Sequence, residues 1–270
     1  MKITFLGGGN MANALIGGLL NNGFPANDIS VIEIKAENRA RLERIFGIRC
    51  FTEPDADALL CDALVLAVKP QQMHAACLSL HPFLEQQLVI SIAAGLRLKD
   101  LSRWLGGHSR LVRTMPNTPA LISAGVTGLY AMPGVSEAER LGAERIMHAV
   151  GSTVWVSEET QIDAVTAISG SGPAYVFLFI EALQQAAAEF GFSPKQVRQL
   201  SIETLLGAAK LASISEDPAS ALRERVTSKG GTTEAALRVM IDRGFREAVI
   251  AGAQAAKERG AEMGEQLGKD

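Results

Sequence analysis

Lys2-Ile3-Thr4-Phe5-Leu6-Gly7-Gly8-Gly9-Asn10-Met11-Ala12 decides how the rest of the chain is read. Its first residues have the composition of a buried strand, three glycines break that strand, and an Ala-, Leu-, Ile- and Gly-rich segment then reads as a helix. The spacing Gly7-x-Gly9-x-x-Ala12 is that of a dinucleotide-binding turn, with alanine in the third place. Gly7 permits the tight turn. Gly9 lacks the Cβ that would hold a pyrophosphate off the backbone, and Ala12 lets the helix pack close to the strand. The first helical turn, with Asn10 and Met11, then turns free N–H groups and a positive dipole end toward phosphate. Gly7, Gly9, Asn10, Met11 and Ala12 are therefore the expected pyrophosphate contacts.

The strand–helix alternation continues to residue 156. Strands are expected at 29–34, 48–51, 63–68, 88–92, 110–114, 126–131 and 153–156. A helix over 36–46 stops at Gly47, which suits a left-handed cap. Another opens on a capping box of Ser136 and Glu139 and ends at Gly151. The run Ala63-Leu64-Val65-Leu66-Ala67-Val68 is apolar throughout, as a strand covered on both faces requires. These features predict an α/β fold with a Rossmann-type doubly wound open sheet. Such sheets bind ligands at the carboxyl ends of their strands. There the sequence places Lys69-Pro70-Gln71, Ala93-Ala94-Gly95 and Met115-Pro116-Asn117-Thr118-Pro119, three turn-forming loops beside one crevice.

After residue 156 strand signals stop. A helix over 161–168 is expected to be interrupted by Ser169-Gly170-Ser171-Gly172-Pro173, to restart at Pro173, and to run to Phe190 with Gly191 as its cap. Ser193-Pro194-x-Gln196 opens a helix through about residue 213, and Asp217-Pro218 opens the next. Thr232 or Thr233 caps one that ends near Gly244. A last Ala-rich helix runs to about residue 262, with a frayed tail from 264. The domain boundary is thus expected near 160, with a dinucleotide-binding domain over 1–160 and an all-α domain over 161–270. Tyr175-Val176-Phe177-Leu178-Phe179-Ile180 is apolar on every side of its helix and so calls for cover on every side, from partner helices or a second subunit.

Composition narrows the function classes. The 270 residues are 47% hydrophobic with a net charge of −3, which suits a soluble globular chain and argues against a nucleic-acid surface. The first strand runs straight into glycines, so no leader is expected, and no apolar run reaches the length of a membrane span. Cys50, Cys61 and Cys77 show no CxxC spacing, which points to a reducing, cytoplasmic setting. His74, Cys77 and His81 fall at helical spacing without a complete metal motif. They read as a buried cysteine between surface histidines, and no metal site is expected.

A second stretch stands out: Val226-Thr227-Ser228-Lys229-Gly230-Gly231-Thr232-Thr233-Glu234-Ala235-Ala236-Leu237. Hydroxyls and glycines lead into an amphipathic helix, so the loop offers N–H and O–H donors to an anion such as a carboxylate. The same residues also suit a well-capped helix with no ligand. All four histidines precede the helical domain, and no lysine lies on the helix after Pro173 before Lys195. A hydroxyacid or alcohol dehydrogenase needs a positioned base for the hydroxyl proton. Reduction of a C=N bond asks for less, because a protonated imine is already electrophilic.

Taken in order, Phe5-Leu6-Gly7-Gly8-Gly9-Asn10-Met11-Ala12, Ala67-Val68-Lys69-Pro70, Met115-Pro116-Asn117-Thr118-Pro119, Asp163-Ala164-Val165-Thr166, Ser169-Gly170-Ser171-Gly172-Pro173-Ala174-Tyr175 and the stretch 226–237 resemble pyrroline-5-carboxylate reductases over essentially the whole chain. The resemblance implies reduction of 1-pyrroline-5-carboxylate to L-proline, the last step of proline biosynthesis, with a nicotinamide cofactor. It implies that Ser228, Gly230, Gly231, Thr232 and Thr233 hold the substrate carboxylate, with Thr233 beside the ring nitrogen as the catalytic-site hydroxyl. It implies cofactor contacts from Ala67, Val68, Lys69 and Pro70, from Ala93, Ala94 and Gly95, and from Pro116, Asn117 and Thr118. It also implies homodimers with interlocked helical domains, often assembled into decamers. Two rival readings are a hydroxyacid dehydrogenase of related architecture, against which the missing helix lysine argues, and a non-catalytic NADP-sensing protein, which would not need 228–233.

The cofactor choice rests on the residues after the second strand. Glu33 is placed to grip the ribose 2′-OH of NAD, while Lys35 and Arg39 are placed to accept the 2′-phosphate of NADP. Both cofactors are expected to work, with NADPH favoured if Glu33 turns away from the site.

Overall fold

The computed structural model describes residues 1–269. Eight strands form one sheet: β1 (Ile3–Leu6), β2 (Ile29–Ile32), β3 (Arg49–Phe51), β4 (Ala63–Leu66), β5 (Leu88–Ser91), β6 (Leu111–Met115), β7 (Gly125–Ala131) and β8 (Gly151–Trp155). Their order is β3-β2-β1-β4-β5-β6-β7-β8, and every pairing is parallel except β6 with β7. Chain order reverses on either side of β1, so a switch point lies between β1 and β4, as expected of a doubly wound sheet.

Alternation along the strands sends residues to two faces. Ile3, Phe5, Val31, Val65 and Ile90 pack under α1 (Asn10–Asn21), α2 (Ala36–Phe46) and, later in the chain, α5 (Glu137–His148). Leu6, Ile32, Leu64, Leu66 and Val89 pack on the other face under α3 (Met73–Leu80) and α4 (Leu98–Trp104). The buried residues of β1, β4 and β5 thus serve both faces, which explains their unbroken apolar composition. Gly47 takes the left-handed cap of α2 at φ 65°, and the Ser136–Glu139 capping box opens α5. Gly151 does not end that helix. It opens β8 at φ 147°, where a Cβ would run into the Gly125 carbonyl.

The remaining helices are α6 (Gln161–Val165), α7 (Gly172–Glu189), α8 (Pro194–Ile214), α9 (Ala219–Arg225), α10 (Thr232–Asp242) and α11 (Phe245–Leu267). Contacts divide the chain into a unit of Met1–Ser171 joined by the chain from Ala255, and a helical unit of Gly172–Gln254. The sheet unit therefore runs past the expected boundary at 160 and takes back the C-terminal stretch. Two close contacts show why. Asp163 is ion-paired to Arg97 and Arg113, and Gly264 lies so close to the Gly95 carbonyl that a Cβ would come within 2.7 Å of it. For the same reason the stretch from 264 is not a frayed tail: α11 continues to Leu267 and Gly264 is buried.

The Ser-Gly-Ser-Gly-Pro segment does not interrupt the helix either. Residues Thr166–Gly170 form a π turn that joins α6 to α7, with Ser171 N–H donating to the Thr166 carbonyl at 2.8 Å. The joined helix Gln161–Glu189 is, by length and composition, apolar enough to cross a membrane, contrary to the shorter apolar run read from sequence. Within the helical unit α7 packs on α8, and the Phe179 and Phe245 rings lie 5.9 Å apart. Gly191 takes positive φ after α7, and Ser193 and Gln196 form the capping box of α8. No residue of α7 is buried in the single chain, and Phe177 and Leu178 are 60% and 67% exposed.

Candidate active site

Four loops follow four neighbouring parallel strands, β1, β4, β5 and β6, and so lie side by side at one end of the sheet. In the first, Gly7 has φ 99°, and a Cβ there would come within 3.0 Å of both the Ala67 carbonyl and a Val68 methyl. Gly9 is different. Its φ of −73° is open to any residue, yet a Cβ there would meet nothing within 4 Å. What a side chain at Gly9 would obstruct is open space in front of α1, whose first turn has no side-chain cap. Open space before uncapped amides fits a pyrophosphate. Ala12 is buried in the contact with the sheet, Asn10 is exposed at the helix start, and Met11 packs partly on the core.

Sequence reading missed Asn13 and Arg41. The Asn13 side-chain amide donates to the Gly8 and Gly9 carbonyls at 2.9 and 2.6 Å, and Arg41 Nη1 donates to Asn13 Oδ1 at 3.2 Å. Together they hold the glycine turn from behind. An amide residue one turn into a helix that follows a glycine loop is the signal that was there to find.

Glu33 does not turn away. It is buried, its Oε2 accepts from Gly8 N–H at 3.1 Å and its Oε1 from Lys35 N–H at 2.9 Å. Arg39, expected to take a 2′-phosphate, instead donates through Nη1 to the carbonyls of Glu33 and Ile34, each at 2.8 Å. Lys35 is exposed at the start of α2.

In the second loop Ala67 and Val68 border Gly7, Lys69 is exposed, and Pro70 opens a short 3-10 turn. In the third, Ala93 is buried and Ala94 half-buried. Gly95, at φ 79°, is buried, and a Cβ there would come within 3.3 Å of Met263 and 3.6 Å of Leu267 on α11. In the fourth, Pro116 is buried and Thr118 exposed. Asn117 belongs to the scaffold: its Oδ1 accepts from Val126 N–H at 3.0 Å and its Nδ2 donates to the Ser169 carbonyl at 3.1 Å.

Behind the third and fourth loops lies a charge cluster that sequence reading also missed. Arg113 on β6 is 1% exposed and pairs with Asp163 at 2.9 Å and Glu159 at 3.3 Å. Arg97 pairs with the other Asp163 oxygen at 2.7 Å, and Glu159 accepts from Leu98 N–H at 2.7 Å. An arginine inside the apolar run Leu111-Val112-Arg113 was the available signal.

In the helical unit the loop over 228–233 corrects two expectations. Gly231, not Thr232 or Thr233, is the N-cap of α10. The N–H groups of both glycines are also engaged, Gly230 by the Glu234 carboxylate at 2.6 Å and Gly231 by the Ser228 carbonyl at 3.0 Å. No side chain caps α10, so the amides of Thr232 and Thr233 stand in its first turn without a capping side chain.

Elsewhere, an open cleft of about 620 Å³ lined by Leu59, Cys61, Asp62, Gln87 and Arg110 precedes β4, β5 and β6, at the opposite ends of the strands from the glycine loop. Cys77 is buried in the core, which pushes its thiol up to about 12, and the His74 ring lies 4.9 Å from Trp104. Among the described residues no group of three or more His, Cys, Asp or Glu is placed to hold a metal.

Comparison with known proteins adds the family. Residues 159–263 match the family described as pyrroline-5-carboxylate reductase dimerisation, and residues 2–95 match that described as NADP oxidoreductase, coenzyme F420-dependent. A pyrroline-5-carboxylate reductase of Pseudomonas aeruginosa is 46% identical over 270 residues, covering 99% of this chain and 98% of the relative. The solved reductase from Coxiella burnetii superposes with a TM-score of 0.93 at 42% identity, covering 97% of this chain and 98% of that one. The Plasmodium falciparum pyrroline carboxylate reductase, solved with NADP bound, gives a TM-score of 0.87 at 28% identity, with 98% of each chain covered. With near-complete coverage on both sides and the glycine turn, the sheet order and the helical segment all in place, the chain belongs to the pyrroline-5-carboxylate reductase family.

Proposed function

We infer that this chain reduces the C=N bond of 1-pyrroline-5-carboxylate to give L-proline, using NAD(P)H. Near full-length identity of 46% to a pyrroline-5-carboxylate reductase supports the reaction. The single structural observation that carries the cofactor is the open space at Gly9 in front of the uncapped first turn of α1. There the amides of Asn10, Met11 and Ala12 hold the pyrophosphate, and Ala67, Val68, Lys69, Pro70, Ala93, Ala94, Pro116 and Thr118 border it from the neighbouring loops. The nicotinamide, when bound, supplies the hydride.

The chain's own residues bind and orient the substrate. The substrate offers few handles, one carboxylate, one ring and one imine nitrogen, so the carboxylate needs donors and the protonated nitrogen an acceptor. The amides of Thr232 and Thr233 and the Ser228 hydroxyl take the carboxylate at the positive end of α10. The Thr233 hydroxyl oxygen accepts from the N–H of the ring nitrogen as that nitrogen passes from iminium to amine. It orients the ring and carries no essential proton, because the imine is protonated in solution. The assembly is a homodimer in which the apolar face of α7 is covered, and dimers of this kind associate further into decamers. The chain works in the cytoplasm.

Thr233→Val keeps the shape and removes the hydroxyl, whereas Thr233→Ser keeps the hydroxyl. Loss of one such bond costs about 1–3 kcal/mol, so kcat/KM for the imine falls roughly ten- to hundredfold in the valine variant and little in the serine variant. Cofactor affinity stays unchanged in both. Steady-state proline formation, followed by loss of NADPH absorbance, reads this out. Full activity of the valine variant removes Thr233 from the mechanism.

A further inference from the structure

Two of the loops that border the cofactor crevice are tied together by one buried carboxylate. Arg97 stands two residues after Gly95, at the end of the loop that follows β5. Arg113 lies on β6, two residues before Met115 and the loop that follows it. Asp163 Oδ2 accepts from Arg97 at 2.7 Å and Asp163 Oδ1 from Arg113 at 2.9 Å. All three belong to the sheet unit. Asp163 itself sits on α6, three residues before the π turn opens at Thr166, so the same carboxylate ties the helix that leads into that turn to the sheet.

The balance of charges makes this a fixed arrangement. Two guanidinium groups face two carboxylates, Asp163 and Glu159, so the cluster is neutral. Arg113 Nε is buried with no partner, so Arg113 depends on its two outer nitrogens. Glu159 reaches only Arg113 Nη1, at 3.3 Å, and caps Leu98 N–H. Asp163 alone bridges the two arginines. Removing its charge leaves a buried guanidinium undercompensated, which is costly and is relieved by movement of one strand end or the other.

We propose that Asp163 is a positioning residue of the cofactor crevice: by holding Arg97 and Arg113 on its two oxygens it sets the loops after β5 and β6 at the spacing the dinucleotide needs. It touches no reacting atom. Its effect is on how well the crevice is formed before cofactor arrives, and therefore on cofactor affinity. The proposal rests on the reading that this crevice takes a nicotinamide dinucleotide.

The test uses the full-length protein and titrates NADP+ by calorimetry, with steady-state kinetics alongside. Asp163→Asn keeps the size and one acceptor. It is expected to raise the Kd for NADP+ and the KM for NADPH about tenfold, while kcat at saturating NADPH stays within about twofold of wild type. Arg97→Lys, at a partly exposed position, keeps the charge but loses the fork; it is expected to raise Kd about threefold and serves if Asp163→Asn does not fold. Glu159→Gln leaves the Asp163 bridge intact and keeps an acceptor for Leu98 N–H, so it is expected to raise Kd clearly less than Asp163→Asn does. A purely structural role would lower the melting temperature and the active fraction without moving Kd. Unchanged Kd in both Asp163→Asn and Arg97→Lys overturns the proposal, as does an equal rise in Glu159→Gln. Failure of the wild-type protein to bind NADP+ overturns instead the functional reading on which the proposal stands.

Discussion

Glu33 carries the cofactor question at the level of a single residue. Its carboxylate is held facing the glycine turn by the amides of Gly8 and Lys35, at the place where the ribose of a dinucleotide is gripped. A fixed carboxylate there accepts ribose hydroxyls and repels a 2′-phosphate. Arg39 adds a positive charge nearby, but its Nη1 is committed to two backbone carbonyls. The exposed Lys35 and the partly buried Arg41 add further positive charge. The wild-type enzyme is therefore expected to turn over NADH alongside NADPH. Glu33→Gln removes the charge and keeps an acceptor for a backbone amide. It should raise the ratio of kcat/KM for NADPH over NADH about tenfold, or ~1.4 kcal/mol. Parallel steady-state assays with the two cofactors check this, and an unchanged ratio would show that the carboxylate does not sense the phosphate.

At the level of elements the π turn shows both what the sequence reveals and what it hides. Strand β1, the glycine turn and α1 are legible because local composition alone requires them, as are the capping boxes at Ser136 and Ser193. The continuity of the helix through Thr166–Gly170 is not, because glycines and a proline are local breakers and only a distant partner overrides them. Pro173 has no N–H to give the Ser169 carbonyl four residues earlier. Asn117 gives one in its place, at 3.1 Å, while its other end accepts from Val126 N–H. Asn117 reads in the sequence as a loop residue facing ligand because that partnership crosses some fifty positions of chain. The partners of Arg113, which stands out in its apolar run, and the packing of Gly264 on Gly95 lay hidden for the same reason. Asn117→Ala leaves a half-buried N–H and a half-buried carbonyl without these partners. It is expected to destabilise the protein by about 2–4 kcal/mol, read as the loss of unfolding free energy in urea at fixed protein concentration. A loss under ~0.5 kcal/mol would mean that water or a shifted helix supplies both bonds.

For the whole molecule the decisive feature is the helical unit's unfinished surface. Val176, Phe177 and Leu178 stand open on α7, and no residue of that 18-residue helix is buried within the chain. Apolar exposure of this extent is covered in a stable soluble protein, and the match of 159–263 to a dimerisation family points to a second copy as the cover. The glycine turn and the loop over 228–233 belong to different compact units, so dimerisation through the helical unit allows one chain's loop to serve the partner's crevice. Complementation tests this. Gly9→Glu fills the open space before α1 with a carboxylate and abolishes cofactor binding, whereas Thr233→Val damages only the substrate loop. Each variant alone is expected to show little activity. Co-expressed and purified as a mixed dimer through two different tags, they should regain a site assembled from the intact crevice of one chain and the intact loop of the other. With one good site in two, specific activity should approach about half that of wild type. If the mixed dimer stays as inactive as its parents, both half-sites come from the same chain, and the helical unit serves association alone.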